Sequence, residues 1–305
     1  MFSVVIPAKN ESGNIARCIQ SVYRSIKNSS MVEIIIVDNG STDNTVEIAS
    51  SIGARVIINK TANISGLRNT GVMHASHDII GFIDADCEAC SMWLENAKEV
   101  LADEGVGIVG DYYRLPPLPT WIEEVLFAQI PRIRREVPYL SGGNMVLRKK
   151  VFNFVGGFDE NTITGEDYVL CLKMQSSSFK VIADPSVSVI HHGNAKNLTN
   201  YFRREVWCGL GMFDLVRYGK VTLPFIWAIL NIILIVLGGV LSITGRKLLA
   251  LLVLLMLGAL PAGAVILKSI RSSSLSNLHR SYIVYAVYGF ARTVSIFRRI
   301  KIYLK

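Results

Sequence analysis

Ile79-Ile80-Gly81-Phe82-Ile83-Asp84-Ala85-Asp86 decides how this chain folds. Its first five residues are apolar and rich in β-branched side chains, which reads as a strand buried on both faces, as in parallel sheets. Two carboxylates follow at the strand's carboxyl end, where open α/β sheets bind ligands. Residues 3–6, 33–37 and 55–58 have the same apolar, β-rich character. Between the first two, Ile15, Cys18, Ile19, Val22 and Ile26 recur at helical spacing. Val46, Ala49 and Ile52 repeat that spacing, and Gly53 is suited to end the helix. Strands alternating with helices predict an α/β fold with a mostly parallel central sheet flanked by helices. The predicted strand ends carry Pro7-Ala8-Lys9-Asn10-Glu11, Asp38-Asn39-Gly40-Ser41 and Asp84-Ala85-Asp86.

Charge divides the 305 residues into unlike parts. The net charge is +8. Residues 221–305 hold ten Lys and Arg and no acid, whereas residues 1–220 hold all 24 acids beside 22 bases. The first part is thus −2 and the tail +10. Half of the residues are hydrophobic, which excludes a disordered chain. A nucleic-acid binder would not confine its charge to its most apolar region; that combination points to a membrane. The five cysteines do not form a disulfide framework, so a reducing, cytosolic face is expected. The lone Cys87-x-x-Cys90 pair lacks a second pair at zinc spacing and reads as structural or incidental. The N-terminal stretch lacks the features of a secretory leader.

Residues 221–243 carry no charge and span roughly 34 Å as a helix, enough for a bilayer core. Residues 248–267 are a second such run, with Pro261 as a candidate kink, and the short link predicts a helical hairpin. Residues 282–297 form a third apolar segment, rich in Tyr and Phe and containing Arg292; an interfacial or re-entrant helix is favoured over a third span. Residues 115–140 begin with a proline-rich break. Trp121, Ile122, Val125, Leu126 and Ile130 then make an apolar stripe, either an ordinary packed helix or one at a membrane surface. The expected organisation is a catalytic domain at 1–200, a juxtamembrane segment at 201–220 and a membrane domain at 221–305. Arg203, Arg204, Arg217, Lys220, Lys268, Arg271 and Arg280 flank the hairpin on one side, against Arg246 and Lys247 at its tip. Seven against two predicts an integral membrane protein with its N-terminal part on the cytoplasmic face of the cell membrane.

Two carboxylates after a buried strand can hold a hard divalent cation, and such a cation can bridge phosphates. Five other segments accompany them. Val5-Ile6-Pro7-Ala8-Lys9-Asn10-Glu11 resembles the opening of family 2 glycosyltransferases, and Ile36-Val37-Asp38-Asn39-Gly40-Ser41-Thr42-Asp43 their second nucleotide-binding loop. Gly66-Leu67-Arg68-Asn69-Thr70-Gly71 is similar to their Arg-Asn-x-Gly segment and Phe82-Ile83-Asp84-Ala85-Asp86 to their metal motif. Gly142-Gly143-Asn144 resembles their acceptor-side loop, and Gly165-Glu166-Asp167 their catalytic acid pair. The order and rough spacing match, and with the strand up to His192 the resemblance covers residues 5–192.

The resemblance implies the GT-A fold of nucleotide-diphospho-sugar transferases and a set of roles. Asp38 would bind the nucleobase, usually uracil, with Gly40 in the same loop. Glu11 would bind the ribose, with Asn10 beside it and backbone contacts from Pro7 and Ala8. Arg68 would reach the base or the diphosphate. Asp86 would coordinate Mg²⁺ or Mn²⁺, with Asp84 on ribose or metal and Ala85 between them. Asp167 would be the general base and Glu166 its neighbour at the acceptor. Gly142, Gly143 and Asn144 would line the acceptor or diphosphate. A His near His191-His192 often completes the metal or diphosphate site in that family; neighbours on a strand face opposite ways, so only one serves, and His191 is favoured over His192. Arg203, Arg204 and Trp207 would either meet lipid headgroups or grip the diphosphate.

The chemistry agrees. A diphosphate leaves only when its growing charge is neutralised, and an acceptor hydroxyl attacks only when its proton has a destination. Attack opposite the leaving group inverts the anomeric centre. The expected function is therefore an inverting, metal-dependent transfer from a nucleotide-sugar, favoured as a UDP-sugar, to a hydroxyl of a lipid-linked or membrane-proximal glycan, as in polysaccharide biosynthesis. A lipid phosphate is already anionic and needs no base, so a polyprenyl-phosphate acceptor is the alternative. The Gln-x-x-Arg-Trp signature of processive synthases is absent from the sequence. A non-catalytic membrane scaffold and a transporter subunit are the competing classes; the tail's uncharged runs make a poor transport path. The expected partners are a nucleotide-sugar, a glycan or lipid-linked acceptor and anionic lipid, and not nucleic acid.

Overall fold

The structure is a computed structural model and describes residues 1–127, 130, 132–272 and 277–304. Its strands are β1 (Phe2–Ala8), β2 (Val32–Asp38), β3 (Arg55–Ile58), β4 (Ile79–Ile83), β5 (Cys87–Ala89), β6 (Val106–Gly110), β7 (Arg135–Glu136), β8 (Asn144–Arg148), β9 (Lys180–Ala183) and β10 (Val189–His191). Its helices are α1 (Ile15–Arg24), α2 (Thr45–Ser51), α3 (Ile64–His74), α4 (Trp93–Val100), α5 (Trp121–Phe127), α6 (Lys149–Phe154), α7 (Glu166–Ser176), α8 (Leu198–Gly209), α9 (Met212–Arg217), α10 (Leu223–Ile243), α11 (Lys247–Ser272) and α12 (Leu278–Tyr303). The described chain forms two compact units. Met1–Pro117 and Pro131–Asn194 make the first, and Leu118–Ile130 with Ala195–Lys305 the second.

In the first unit the four apolar runs read from the sequence all form strands. They sit side by side in the order β3-β2-β1-β4, all parallel, and continue into β8-β6-β9-β7. β8 runs antiparallel to both β4 and β6. Alternation along β1 sends Val4 and Ile6 to one face and Val5 to the other. Val4 and Ile6 bury against Ile15, Cys18 and Ile19 of α1 and the α4 residues Trp93 and Leu94. Val5 joins Phe82 and Ile80 of β4 in the core under α3, α6 and α7. Because β1, β2 and β4 are parallel and in register, their carboxyl ends align, so Ala8, Asp38 and Asp84 share one sheet edge.

The Gly66–Gly71 segment is not a loop: it lies within α3, whose first turn is capped by Asn63 Oδ1 accepting from Gly66 N at 3.0 Å. Gly71 lies against β1, and a Cβ there would overlap the side-chain carbons of Val5. The glycine therefore lets the helix that carries Arg68 lie directly on the sheet.

In the second unit α5 is a seven-residue helix with a Thr120/Glu123 capping box: Thr120 N donates to Glu123 Oε2 at 2.8 Å and Glu123 N to Thr120 Oγ1 at 3.4 Å. Its Ile122 and Val125 pack with Tyr201 of α8 and Val284 of α12. The expected stripe over residues 121–130 thus shortens to one packed face; residues 128, 129 and 131 lie outside the described residues. α10 and α11 form the expected hairpin, and each contains a 21-residue stretch long and apolar enough to cross a membrane. Only 17% of each apolar window is buried within the protein, unlike the core helix of a soluble domain. The side chains of Lys268 and Arg271, used in the charge argument, lie outside the described residues. α12 differs from the expected third segment. It is one unbroken 26-residue helix, and polar partners hold its C-terminal half. Arg292 pairs with Glu205 of α8 at 2.5 Å and Arg299 with Asp214 of α9 at 2.5 Å, while Asn231 of α10 donates to Thr293 Oγ1 at 3.1 Å.

Gly71→Ala is expected to destabilise the protein by about 1–3 kcal/mol through overpacking against Val5. Thermal or denaturant unfolding in detergent reads this as a lower midpoint, and an unchanged midpoint would contradict the tight α3–β1 contact.

Candidate active site

The sheet edge first builds a cluster of loops. Asn10, at φ +56°, donates through its backbone N to Ser41 Oγ at 2.8 Å and accepts from Thr42 N through Oδ1 at 2.8 Å. The loop after β1 is thereby tied to the loop after β2. Asp38 is 1% exposed, and its carboxylate caps its own loop, accepting from Gly40 N at 2.8 Å, Ser41 N at 2.9 Å and the Ser41 hydroxyl. Gly40 takes φ +73°, which its lack of a Cβ permits. Pro7 and Ala8 are buried in β1, and the Ala8 carbonyl accepts from Asn39 N at 2.8 Å. Ala85 is buried on the α1 side of the sheet. Burial lifts the Glu11 carboxyl above its ordinary range; the hydrogen bond from Asn14 opposes this, and the charges of Asp86, Asp84 and Asp43 add to it. Carboxylates crowded at one edge favour a cation.

Arg68, on α3, is the centre of the arrangement. Its side chain is 3% exposed. Nη1 donates to Glu166 Oε1 at 2.6 Å and Nη2 to Asp84 Oδ1 at 2.8 Å, while the guanidinium lies over the Phe158 ring, 5.4 Å from its centroid. Burial opposes its charge, but Asp84, Glu166 and Asp167 outweigh this and raise its pKa above the ordinary arginine value. Both arms are thus engaged by carboxylates. The Gly142-Gly143 loop closes over it. A Cβ on Gly142 would sit 2.8 Å from the guanidinium, and one on Gly143 would overlap Asp84 and the Tyr113 hydroxyl. Gly142 N donates to Asp167 Oδ2 at 3.1 Å, and Tyr168 N donates to Oδ1 at 2.7 Å. Burial, then the charge of Glu166, pushes the Asp167 carboxyl up to about 7 against that Gly142 hydrogen bond and the pull of Arg68.

A second cluster adjoins. β5 and β10 pair antiparallel, which sets His191 opposite Cys87. His191 Nε2 lies 3.5 Å from Asp86 Oδ1, whereas His192 Nε2 lies 3.2 Å from Glu88 Oε2. Strand alternation therefore separates the two histidines, and His191 is the one beside Asp86. Asn194 Nδ2 donates to the His191 carbonyl at 3.0 Å, which turns Asn194 Oδ1 toward His191 Nδ1 at 2.8 Å. The bonding pattern places a proton on Nδ1 and turns Nε2 toward Asp86. Tyr113 stacks on the His191 ring at 4.4 Å, and its hydroxyl bonds Ser141 Oγ at 2.5 Å. A Cβ on Gly193 would overlap the Asp86 carboxylate.

Asp84, Arg68, Glu166, Asp167, Gly142 and Gly143 therefore meet in one network, with Asp86 and His191 beside it. Asn144 does not join them. It is 0% exposed, its Oδ1 accepts from Trp93 Nε1 at 2.8 Å, and its Nδ2 donates to the Asp111 and Val187 carbonyls at 2.9 Å each. Its amide holds β8 in the core. Arg203, Arg204 and Trp207 lie on α8 in the second unit. Tyr113, Ser141 and Asn194 have no place in the sequence reading, where Cys87 reads as structural or incidental. Only Asn194 left a signal, its place three residues after His191; the others come from contacts between distant segments.

A family model for glycosyl transferase family 2 matches residues 3–156, half of the chain. The chain belongs to that family and is a glycosyltransferase. Glycosyltransferase AglE of Haloferax volcanii is 25% identical over 238 residues, 74% of this chain and 78% of that protein. The pre-mycofactocin glycosyltransferase of Mycobacterium tuberculosis is 26% identical over 73% of this chain and 49% of its own. Among solved structures, a mannosyltransferase of Pyrobaculum calidifontis in complex with GDP-Man and Mn²⁺ matches with TM-score 0.65 and 18% identity, over 98% of this chain and 86% of that one. The fold is therefore the GT-A fold that the sequence motifs implied.

Removing Arg68 leaves two carboxylates facing each other in a largely buried place. Breaking such a pair costs about 3–5 kcal/mol, and Asp84 keeps 29% exposure, so Arg68→Met should lose about 3 kcal/mol. Adding Glu166→Gln should restore part of it, because one stranded charge is gone; strictly additive losses in denaturant titrations would contradict the clamp.

Proposed function

We propose that this chain is an inverting, metal-dependent transferase. It moves a sugar from a nucleotide diphosphate, favoured as a UDP-sugar, to a hydroxyl of a lipid-linked or membrane-proximal glycan. The observation that carries this reading is the Arg68 clamp, which couples Asp84 of the Asp-x-Asp turn to Glu166, neighbour of Asp167. Donor-side and acceptor-side carboxylates thus belong to one site. Glu11, Asp38 and the loops they anchor take the nucleoside. Asp86 and His191 fit a divalent cation, since one offers a carboxylate oxygen and the other a lone pair fixed by Asn194, 3.5 Å apart. Bound there, Mn²⁺ or Mg²⁺ would neutralise charge on the diphosphate.

Asp167 accepts the proton of the acceptor hydroxyl. The hydroxyl oxygen bonds to the anomeric carbon as the bond to the diphosphate oxygen breaks on the opposite face. That bond's electron pair leaves with the nucleoside diphosphate, and the configuration inverts. Arg68 holds Glu166 and keeps its charge paired during the step. α10 and α11 anchor the chain in the cell membrane with the transferase unit on the cytoplasmic side, and the basic residues about the hairpin meet anionic lipid. The second reading is a polyprenyl-phosphate acceptor. The apolar hairpin favours it as much as the first, and a phosphate oxygen attacks without a base. GDP-mannose, the donor named for the solved mannosyltransferase, is the second donor to screen.

Asp167→Asn separates these readings. With a hydroxyl acceptor it is expected to lower kcat by about 10²–10⁴-fold at little change in nucleotide binding. Undiminished transfer would overturn the base assignment, and undiminished transfer to a polyprenyl phosphate alone would favour the second reading. The pH dependence is a further check. A carboxyl raised to about 7 becomes a base only as pH climbs through that value, so kcat/KM should rise through about pH 7 to a plateau. Glu166→Gln removes a raising charge and should move the midpoint to lower pH; a midpoint in the ordinary carboxylate range for the unmodified enzyme would contradict the raised base.

A further inference from the structure

Among the described residues, the Asp86 carboxylate, the Cys87 thiol and the His191 ring form a group whose ligand atoms lie within 4.8 Å of one another. Cys87 has no part in the transfer described above. A hard cation such as Mn²⁺ or Mg²⁺ takes oxygen and an occasional imidazole, and it does not seek sulfur. The thiol nonetheless sits 3.8 Å from Asp86 Oδ1, and His191 Nε2 lies 3.5 Å from the same oxygen. Zinc bonds of about 2.3 Å to sulfur and about 2.0–2.1 Å to nitrogen or oxygen give tetrahedral edges of about 3.3–3.6 Å. The two edges that meet at Asp86 Oδ1 are therefore within a few tenths of an ångström of a tetrahedral face, and the sulfur and the imidazole nitrogen lie within 4.8 Å of each other.

The backbone holds them there. Cys87 and His191 are direct cross-strand partners of β5 and β10, and His192 N donates to the Asp86 carbonyl at 3.0 Å. Asn194 keeps His191 Nε2 turned toward Asp86, and Tyr113 braces the ring. Asp86 is the partly exposed member, with 22% side-chain exposure, so the open side of the face lies with it.

We propose that Asp86, Cys87 and His191 form a site for thiophilic divalent cations, Zn²⁺ foremost, with a fourth position left for water. The proposal rests on the reading of Asp86 and His191 as ligands of the transferase's hard cation, and adds Cys87 as a ligand that only a softer ion uses. Zn²⁺ bound this way competes with Mn²⁺ for two ligands and draws Asp86 into a tetrahedral arrangement. It is a competitor of the hard ion, and the transferase is blocked by it.

The probe is Cd²⁺ added to the full-length protein in detergent, read by the ultraviolet sulfur-to-cadmium charge-transfer band, with Mn²⁺ occupancy followed in parallel by electron paramagnetic resonance. A band is expected to appear with one Cd²⁺ per chain while Mn²⁺ is released. Cys87→Ser should abolish the band and weaken Zn²⁺ and Cd²⁺ binding by more than the about 10–100-fold typical of losing an outer ligand contact. The same variant should still bind Mn²⁺, and Cys90→Ser should keep the band. If Cd²⁺ displaces Mn²⁺ without a band, or the band survives Cys87→Ser, the sulfur assignment is wrong while the Asp86–His191 reading stands. If neither ion binds, the reading beneath it fails as well. Cys87 is buried, so Cys87→Ala serves where the serine variant unfolds, and the band of the unmodified protein tests the proposal without any variant.

Discussion

One buried guanidinium organises the catalytic unit. Arg68 stands between Asp84 at the end of β4 and Glu166 at the start of α7, 98 residues further along the chain than Arg68 itself. Glu166 would not be tolerated at that depth alone, and neither would the arginine. Their mutual neutralisation is what allows so many charges at one sheet edge. It also sets the fine geometry: Gly142 and Gly143 lack side chains because the clamp and Asp84 occupy the space a Cβ would need. Gly71 serves the same end from behind, by letting α3 lie against Val5.

The clamp also divides the labour among the acids. Asp84 is held by Arg68 and, more weakly, by the Tyr113 hydroxyl at 3.5 Å. Asp86, two residues on, points to His191. Asp167 receives two backbone N–H groups yet remains elevated to about 7, because burial and Glu166 outweigh them. Carboxylates of one kind thus acquire different properties from their surroundings: one paired, one beside an imidazole, one basic near neutrality.

The sequence carried the sheet well because β1, β2 and β4 are largely apolar on both faces, as strands buried in a parallel sheet are. It also carried the loop positions, since parallel strands put their carboxyl ends together by topology alone. Residue roles were less legible. Asn144 stands in a glycine-rich loop motif but is the first residue of a core strand, and nothing local distinguishes the two. Arg68 is a single cation in a sequence with 32 of them; its choice of partners depends on residues 16 and 98 positions away. The alternation rule did separate His191 from His192, but only the pairing of β5 with β10 says which side holds Asp86. Cys87 has no partner at zinc spacing along the chain, whereas its neighbours Asp86 and His191 meet it through the β5–β10 strand pair.

The charge asymmetry needs a similar refinement. Ten positive charges and no acid in residues 221–305 suggest a tail bound to an anionic surface by all of them. Arg292 and Arg299 are instead neutralised within the unit, by Glu205 and Asp214, acids that precede the tail in sequence. Asp214 is 0% exposed and takes Arg217 as well, so α9 and the end of α12 share one ionic knot. These pairs fix α12 to α8 and α9, a structural task that a headgroup contact would not perform. On the membrane reading, Lys220 at the hairpin's flank would meet lipid. Composition therefore gave the sign of the surface but overstated its strength, because it assigns charge by position in the chain and neutralisation follows position in space.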